Sequence, residues 1–198
     1  MKNIFKIVLL LLIVFSTSIS CTESDNPVDV LLDTVDMSGA IVRTLSPPAE
    51  FIINANPDGN TIALEIEVQE GNGDFDPDFK EVRLYIGIYQ AQDLADPIVD
   101  GQGTPTSEIL MVTAPKSDFV NGDNGLPTYE FSFITPDVVA QFPADAVYPI
   151  PSFIETRLEL EMNDGRVFSK ESVAAAVATG IYFDSPFSYV TIFINPPS

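Results

Sequence analysis

An antiparallel β-sandwich is the fold the sequence predicts, on three observations. From residue 38 onward the chain is cut into short runs rich in β-branched and aromatic residues, separated by Pro, Gly, Asn and Asp. Several of these runs alternate apolar and polar residues with the period of a half-buried strand. One segment carries clear helix chemistry: before Phe142, Thr135 reads as an N-cap, Pro136 takes the first helical position and Asp137 the first turn.

The elements follow in order. Ala40 to Leu45 and Phe51 to Ile53 read as two short strands parted by Pro47-Pro48, which can neither donate to a ladder nor continue one. Asn56-Pro57-Asp58-Gly59-Asn60 is a turn. Thr61 to Gln69 puts Ile62, Leu64, Ile66 and Val68 inward, with Ala63, Glu65 and Glu67 on the wet side. After the loop Gly71 to Asp78, the strand Phe79 to Gln90 turns Val82, Leu84, Ile86 and Ile88 inward and Arg83, Tyr85 and Tyr89 outward. Ala91 to Ser107 has no period and reads as loop, and Glu108 to Thr113 as strand. Turn chemistry at Asn121 to Gly125 leads into the strand Thr128 to Thr135, with Phe131 and Phe133 on one face. The helical turn follows, and then Phe153 to Met162 alternates again, with Glu155, Glu159 and Glu161 on the wet side. Asn163-Asp164-Gly165 marks a tight hairpin into Arg166 to Ser169. Ala174 to Ala178 reads as a small-residue loop or edge in preference to a helical turn, and Phe187 to Ile194 as the closing strand. Seven to nine short strands with one short helix predict an all-β, immunoglobulin-like sandwich as a single domain over residues 38–198.

Ahead of this domain, Met1 to Ser20 has the grammar of an export signal: Lys2 and Lys6, an apolar run from Ile7 to Phe15, then small and polar residues. Nine apolar residues are too few to cross a hydrocarbon core about 30 Å thick as a helix. Ser18-Ile19-Ser20-Cys21 resembles a bacterial lipobox, departing from it in Ser18, where Leu is usual, and in Ile19, where a small residue is usual. The resemblance implies diacylation of Cys21 and an anchor in outer-membrane lipid. Residues 21–37 read as an acidic flexible tether, and Glu23 and Asp25 resemble the export signal that carries lipoproteins of the Bacteroidota to the cell exterior.

Removing residues 1–20 takes two of the nine basic residues and none of the 29 acids, leaving 7 against 29, a net charge of −22. Such a surface repels phosphate backbones and anionic headgroups, which argues against nucleic-acid partners. With one cysteine there is no internal disulfide, so packing must hold the fold.

Several phrases read together resemble a group of flavobacterial surface lipoproteins: Ser38-Gly39-Ala40-Ile41-Val42-Arg43-Thr44-Leu45, Phe79-Lys80-Glu81-Val82, Gly125-Leu126-Pro127, Asn163-Asp164-Gly165-Arg166-Val167-Phe168 and Ser185-Pro186-Phe187-Ser188-Tyr189. That group is typically encoded beside outer-membrane nutrient importers of the SusC/SusD type. The resemblance implies an accessory lipoprotein of a glycan or peptide uptake system, and lends no catalytic residues.

The chain has no His and one Cys, so Ser-His-Asp, Cys-His and His-containing zinc arrangements cannot be built. Asp74, Asp76 and Asp78 imitate the opening of a calcium loop, but the EF-hand pattern then finds Phe79 where it needs Gly and Tyr85 where it needs Glu. Two readings remain: a looser calcium site joined by Asp123 or Asn124, and a plain acidic loop. Calcium is the one cofactor in view. Tyr85 and Tyr89, two positions apart on one outward face, form a candidate platform for a sugar or peptide, and Tyr182, Phe183, Phe187 and Tyr189 a second. The expectation is a non-catalytic protein, lipid-anchored in the outer membrane and facing the cell exterior, that captures ligand for an importer. The alternatives are a structural envelope protein that binds other outer-membrane proteins, and a surface hydrolase working through paired carboxylates.

Overall fold

A computed structural model describes residues 39–54, 61–173, 175–179 and 185–195, which belong to a compact unit running from Met37 to Ser198. The leader, the tether with Cys21, Glu23 and Asp25, and the aromatic pair Tyr182 and Phe183 lie outside the described residues.

Two sheets form the sandwich. Strands β1 (Ala40–Ser46), β3 (Thr61–Glu70), β7 (Pro127–Ile134) and β6 (Val120–Asn121) make the four-stranded sheet in the order β1-β3-β7-β6. Strands β2 (Phe51–Asn54), β10 (Ser188–Asn195), β8 (Ser152–Met162), β4 (Phe79–Tyr89) and β5 (Ile109–Pro115) follow one another across the second sheet, where β9 (Val167–Phe168) adds a sixth strand beside β8. Taken in sequence, the first order is the A-B-E-D order of an immunoglobulin-type sandwich, and β10-β8-β4-β5 is its G-F-C order extended by one strand. The strands number ten among the described residues, above the seven to nine expected, because two of them are two-residue pairings. One pairing departs from the antiparallel rule: β2 runs parallel to β10, with Ile192 beside Phe51 and Phe193 beside Ile52. Pro47-Pro48 accounts for this, since it ends the β1 ladder and lets the chain cross to the other sheet.

The alternation sets the core. Ile62, Leu64, Ile66 and Val68 of β3 face Val82, Leu84, Ile86 and Ile88 of β4 and Ile154, Leu158, Leu160 and Met162 of β8, each at most 1% exposed. Between the sheets an aromatic chain runs Phe79, Phe119, Tyr129, Phe131, with ring centroids 4.9, 5.1 and 4.7 Å apart. The 3₁₀ turn Lys116–Asp118 delivers Phe119 into this chain. The expected turn at Asn121 to Gly125 and the expected hairpin at Asn163 to Gly165 both form. The β6–β7 turn closes with Gly125 at φ +77°, and the β8–β9 turn with Gly165 at φ +88°, values that favour glycine.

Two local readings are corrected. Helix α1 (Thr135–Val139) begins one residue earlier than expected, so the N-cap position falls on Ile134 and Thr135 is the first helical residue. Ala175–Ala178 is a helical turn, α2, where a loop was expected; alanine's helix propensity wins over its place between strands. At the β1 edge, the Ser185 hydroxyl donates to the Val42 carbonyl (2.8 Å) and accepts from the Val42 N–H (3.1 Å). A side chain thus covers backbone groups that an open edge leaves unpaired.

Leu158→Ala, a truncation at a fully buried position, is expected to cost about 2–5 kcal/mol. Leu110→Ala, at a side chain 49% exposed, should stay within about 0.5 kcal/mol of wild type. Urea unfolding midpoints at an unchanged m-value check both.

Candidate functional site

The outer face of the six-stranded sheet carries most of the polar chemistry. On β4, Glu81, Arg83, Tyr85, Gly87 and Tyr89 point away from the core, and on β8 so do Phe153, Glu155, Arg157, Glu159 and Glu161. The β4–β8 register sets them side by side: Arg83 beside Glu159, Tyr85 beside Arg157, Gly87 beside Glu155 and Tyr89 beside Phe153.

Arg157 is the hub. Its Nε and Nη2 donate to the two oxygens of Glu108 at 3.0 and 2.9 Å, and its Nη1 donates to Glu159 at 2.7 Å. Burial works against the guanidinium's charge, but the hydrogen bonds to Glu108 and Glu159 outweigh it, and the pKa rises above the ordinary arginine value. The plane lies over Tyr85, 4.3 Å from the ring centroid, and the Tyr85 hydroxyl donates to Glu159 at 3.2 Å. Arg83 extends the network to Glu81 (2.9 Å), Glu159 (3.1 Å) and Glu161. Its own pKa is raised, first by the Glu81 hydrogen bond and then by Tyr85.

Tyr89 is placed by what Gly87 lacks. A methyl group at Gly87 would stand 2.6 Å from Tyr89 Cε2 and 2.9 Å from its hydroxyl oxygen, so the ring lies back along the strand over the glycine. Burial, then the negative charges of Glu155 and Glu108, push the Tyr89 phenol up to about 12. The expected platform is therefore not two bare rings, because Tyr85 is covered on one face by Arg157 and Tyr89 rests on the sheet. The second expected platform is corrected. Phe187 is core, 1% exposed, and Tyr189 turns toward the other sheet, its hydroxyl 2.7 Å from Thr44 Oγ1.

Two glutamates assigned to wet faces are buried, each 1% exposed. Glu67 accepts from Arg43 Nε (3.0 Å) through Oε1 and from Asn124 (3.0 Å) through Oε2, so both oxygens are served. Glu155 is served on one side: Oε1 accepts from Lys170 and Ser188, each at 2.6 Å, and Oε2 accepts no hydrogen bond. In both cases the cover comes from a distant loop, which alternation within a strand cannot show. Gly87, lying between two outward tyrosines, was the sequence signal for this site, since glycine inside a strand marks close approach.

Asp74, Asp76 and Asp78 do not converge. Asp74 accepts the Asp76 N–H at 3.1 Å, Asp76 pairs with Lys116 at 2.6 Å, and Asp78 accepts from Asn163 at 2.6 Å. Asn124 is engaged with Glu67. Among the described residues no three His, Cys, Asp or Glu side chains come together to hold a metal ion. Two shallow hollows flank Ile41 on β1, of about 120 and 280 Å³. Both fall below the roughly 300–1,000 Å³ of ordinary small-molecule sites.

Compared with known proteins, the chain matches no protein-family model, and no curated protein is significantly similar to it.

Gly87→Ala is expected to push the Tyr89 ring off the sheet and bring its titration down from about 12 toward the ordinary tyrosine value of 10; absorbance at alkaline pH reads this out. Since the folded phenol holds its proton more tightly than the unfolded one, wild-type stability should fall as pH rises from about 10 through about 12. That loss should shrink in Gly87→Ala. Arg157→Ala leaves Glu108 without its partner, while Glu159 keeps Arg83 and Tyr85, and should cost about 1–3 kcal/mol in urea unfolding.

Proposed function

We propose that the chain is a non-catalytic surface lipoprotein, acylated at Cys21, that serves as an accessory or ligand-capture subunit of a SusC/SusD-type nutrient importer in the outer membrane. The position of the single cysteine carries this reading. It stands at the end of an apolar leader and is followed by acidic residues, in front of a folded domain that needs no thiol. Acyl chains contribute about 0.8 kcal/mol per buried methylene and would hold the domain at the bilayer with no protein contact to lipid. Confinement there raises the effective concentration of a weak binding face near a transporter mouth.

The arrangement of carboxylates supports binding over hydrolysis. A glycosidase needs two carboxyl groups facing one another across a cleft, one of them able to hold a proton. On this face Glu81, Glu108, Glu159 and Glu161 are each tied to an arginine. Each is committed to a fixed cation on the sheet and not aimed across a cleft at a second carboxyl, which suits a rigid contact surface.

In cell fractionation, Cys21→Ser should move the protein from the membrane to the soluble fraction, and affinity purification of the lipidated chain from native membranes should recover an importer. Membrane retention of the variant would sink the anchor, and purification without any importer would sink the assignment to an uptake system.

A further inference from the structure

We propose that the Tyr89–Phe153 end of the six-stranded sheet's outer face is a docking site for a basic, apolar stretch of polypeptide from a partner protein, with one Lys or Arg of that stretch seated beside Glu155. The inference deepens the preceding reading by assigning a contact face. It rests on that reading only in taking the domain to work by contact.

The first support is a row of large side chains that the core does not use. Phe51, Ile192, Phe153 and Tyr89 stand in register across β2, β10, β8 and β4 on one face. Phe51 is 54% exposed, and Ile194, next outward on β10, is 38% exposed. Ile192, Phe153 and Tyr89 are half-buried, and a row of apolar side chains left at the surface in this way is the kind of face a partner covers.

Beside the row sits the second support. Glu155 lies one step along β8 on the same face, opposite Gly87, with Oε2 buried and unpartnered. Leaving a charged oxygen without a donor costs free energy that Glu67, its counterpart on the other sheet, avoids by engaging both of its oxygens. The Tyr89 phenol, which interacts with Glu155, shields this side, and its ring rests against a glycine that sets no steric barrier to its leaving. A ring swung off Gly87 opens the oxygen to an incoming donor and offers its own face to a cation.

Charge selects the occupant. All seven basic residues of the described chain, Arg43, Lys80, Arg83, Lys116, Arg157, Arg166 and Lys170, already stand in ion pairs. Exposed acids flank the row at both ends: Glu50 immediately before Phe51, and Asp93 and Asp96 beyond Tyr89. A second copy of this acidic chain would meet like charge, whereas a basic, apolar segment meets carboxylates at each end and, between them, one whose second oxygen has no donor.

The test uses the full-length chain in detergent and two labelled peptides of about twelve residues, one alternating aliphatic residues with Lys and Arg and the other carrying Glu at the charged positions. Fluorescence anisotropy near physiological salt should show saturable binding of the basic peptide and none of the acidic one. Glu155→Gln and Phe153→Ser should each weaken binding about tenfold, the scale of a single interface anchor. Glu65→Gln and Asp137→Asn, which remove exposed acids elsewhere, should leave it unchanged. Should Phe153→Ser unfold by circular dichroism, Phe51→Ser takes its place. Equal loss in all four variants, or loss in none, would overturn the site in favour of diffuse charge attraction. Competition by a neutral β-glucan oligosaccharide would overturn it in favour of a sugar, and a Phe51-dependent dimer in sedimentation in favour of a second copy. Because Cys21→Ser should bind the peptide as wild type does, a failed anchor and a failed docking site give different results.

Discussion

The pairing of β4 with β8 is the constraint on which the rest depends. Both strands are eleven residues long and lie at the centre of the larger sheet, in unbroken register from Glu81 beside Glu161 to Tyr89 beside Phe153, with a shift between Glu81 and the Phe79–Met162 pair. One face of this ribbon supplies Val82, Leu84, Ile86, Ile88, Ile154, Leu158 and Leu160 to the core, and the other carries the arginine–glutamate network. Side chains alternate with a period of two, so a slip of one residue would turn Arg157 and Glu159 into the core and Leu158 into solvent. The register is thus fixed twice, by hydrophobic burial beneath and by matched charges above.

The two fixings differ in kind. Burial supplies most of the favourable free energy, because exposed or half-exposed ion pairs contribute little each. The network adds specificity: Arg157 of β8 stacks on Tyr85 of β4 and forks onto Glu108 just ahead of β5, so three neighbouring strands are aligned by one side chain. With the cations thus engaged, the surface left over is acidic. That keeps copies of the domain apart and biases its encounters toward basic surfaces.

Much of the fold was legible in the sequence. Alternation in Thr61 to Gln69, Phe79 to Gln90 and Phe153 to Met162 assigned inward residues that are buried in the sandwich, and turn chemistry at Asn121 to Gly125 and Asn163 to Gly165 located both hairpins. What strand periodicity cannot carry is the environment of the outer face. Glu67 and Glu155 were read as wet because they alternate with core residues, yet Asn124 and Lys170 arrive from other parts of the chain to cover them. Tyr85 and Tyr89 were read as neighbours by spacing, and Gly87 and Arg157 decided where their rings lie. The parallel seat of β2 was hidden for the same reason, since Pro47-Pro48 shows that a ladder stops and is silent on where the chain resumes.

That parallel seat has a mechanical consequence. β2 lies near the start of the domain and β10 near its end, and they run side by side in the same direction. Tension that drew the two ends of the domain apart would slide these strands past one another, loading their cross-links together in shear instead of unzipping them singly.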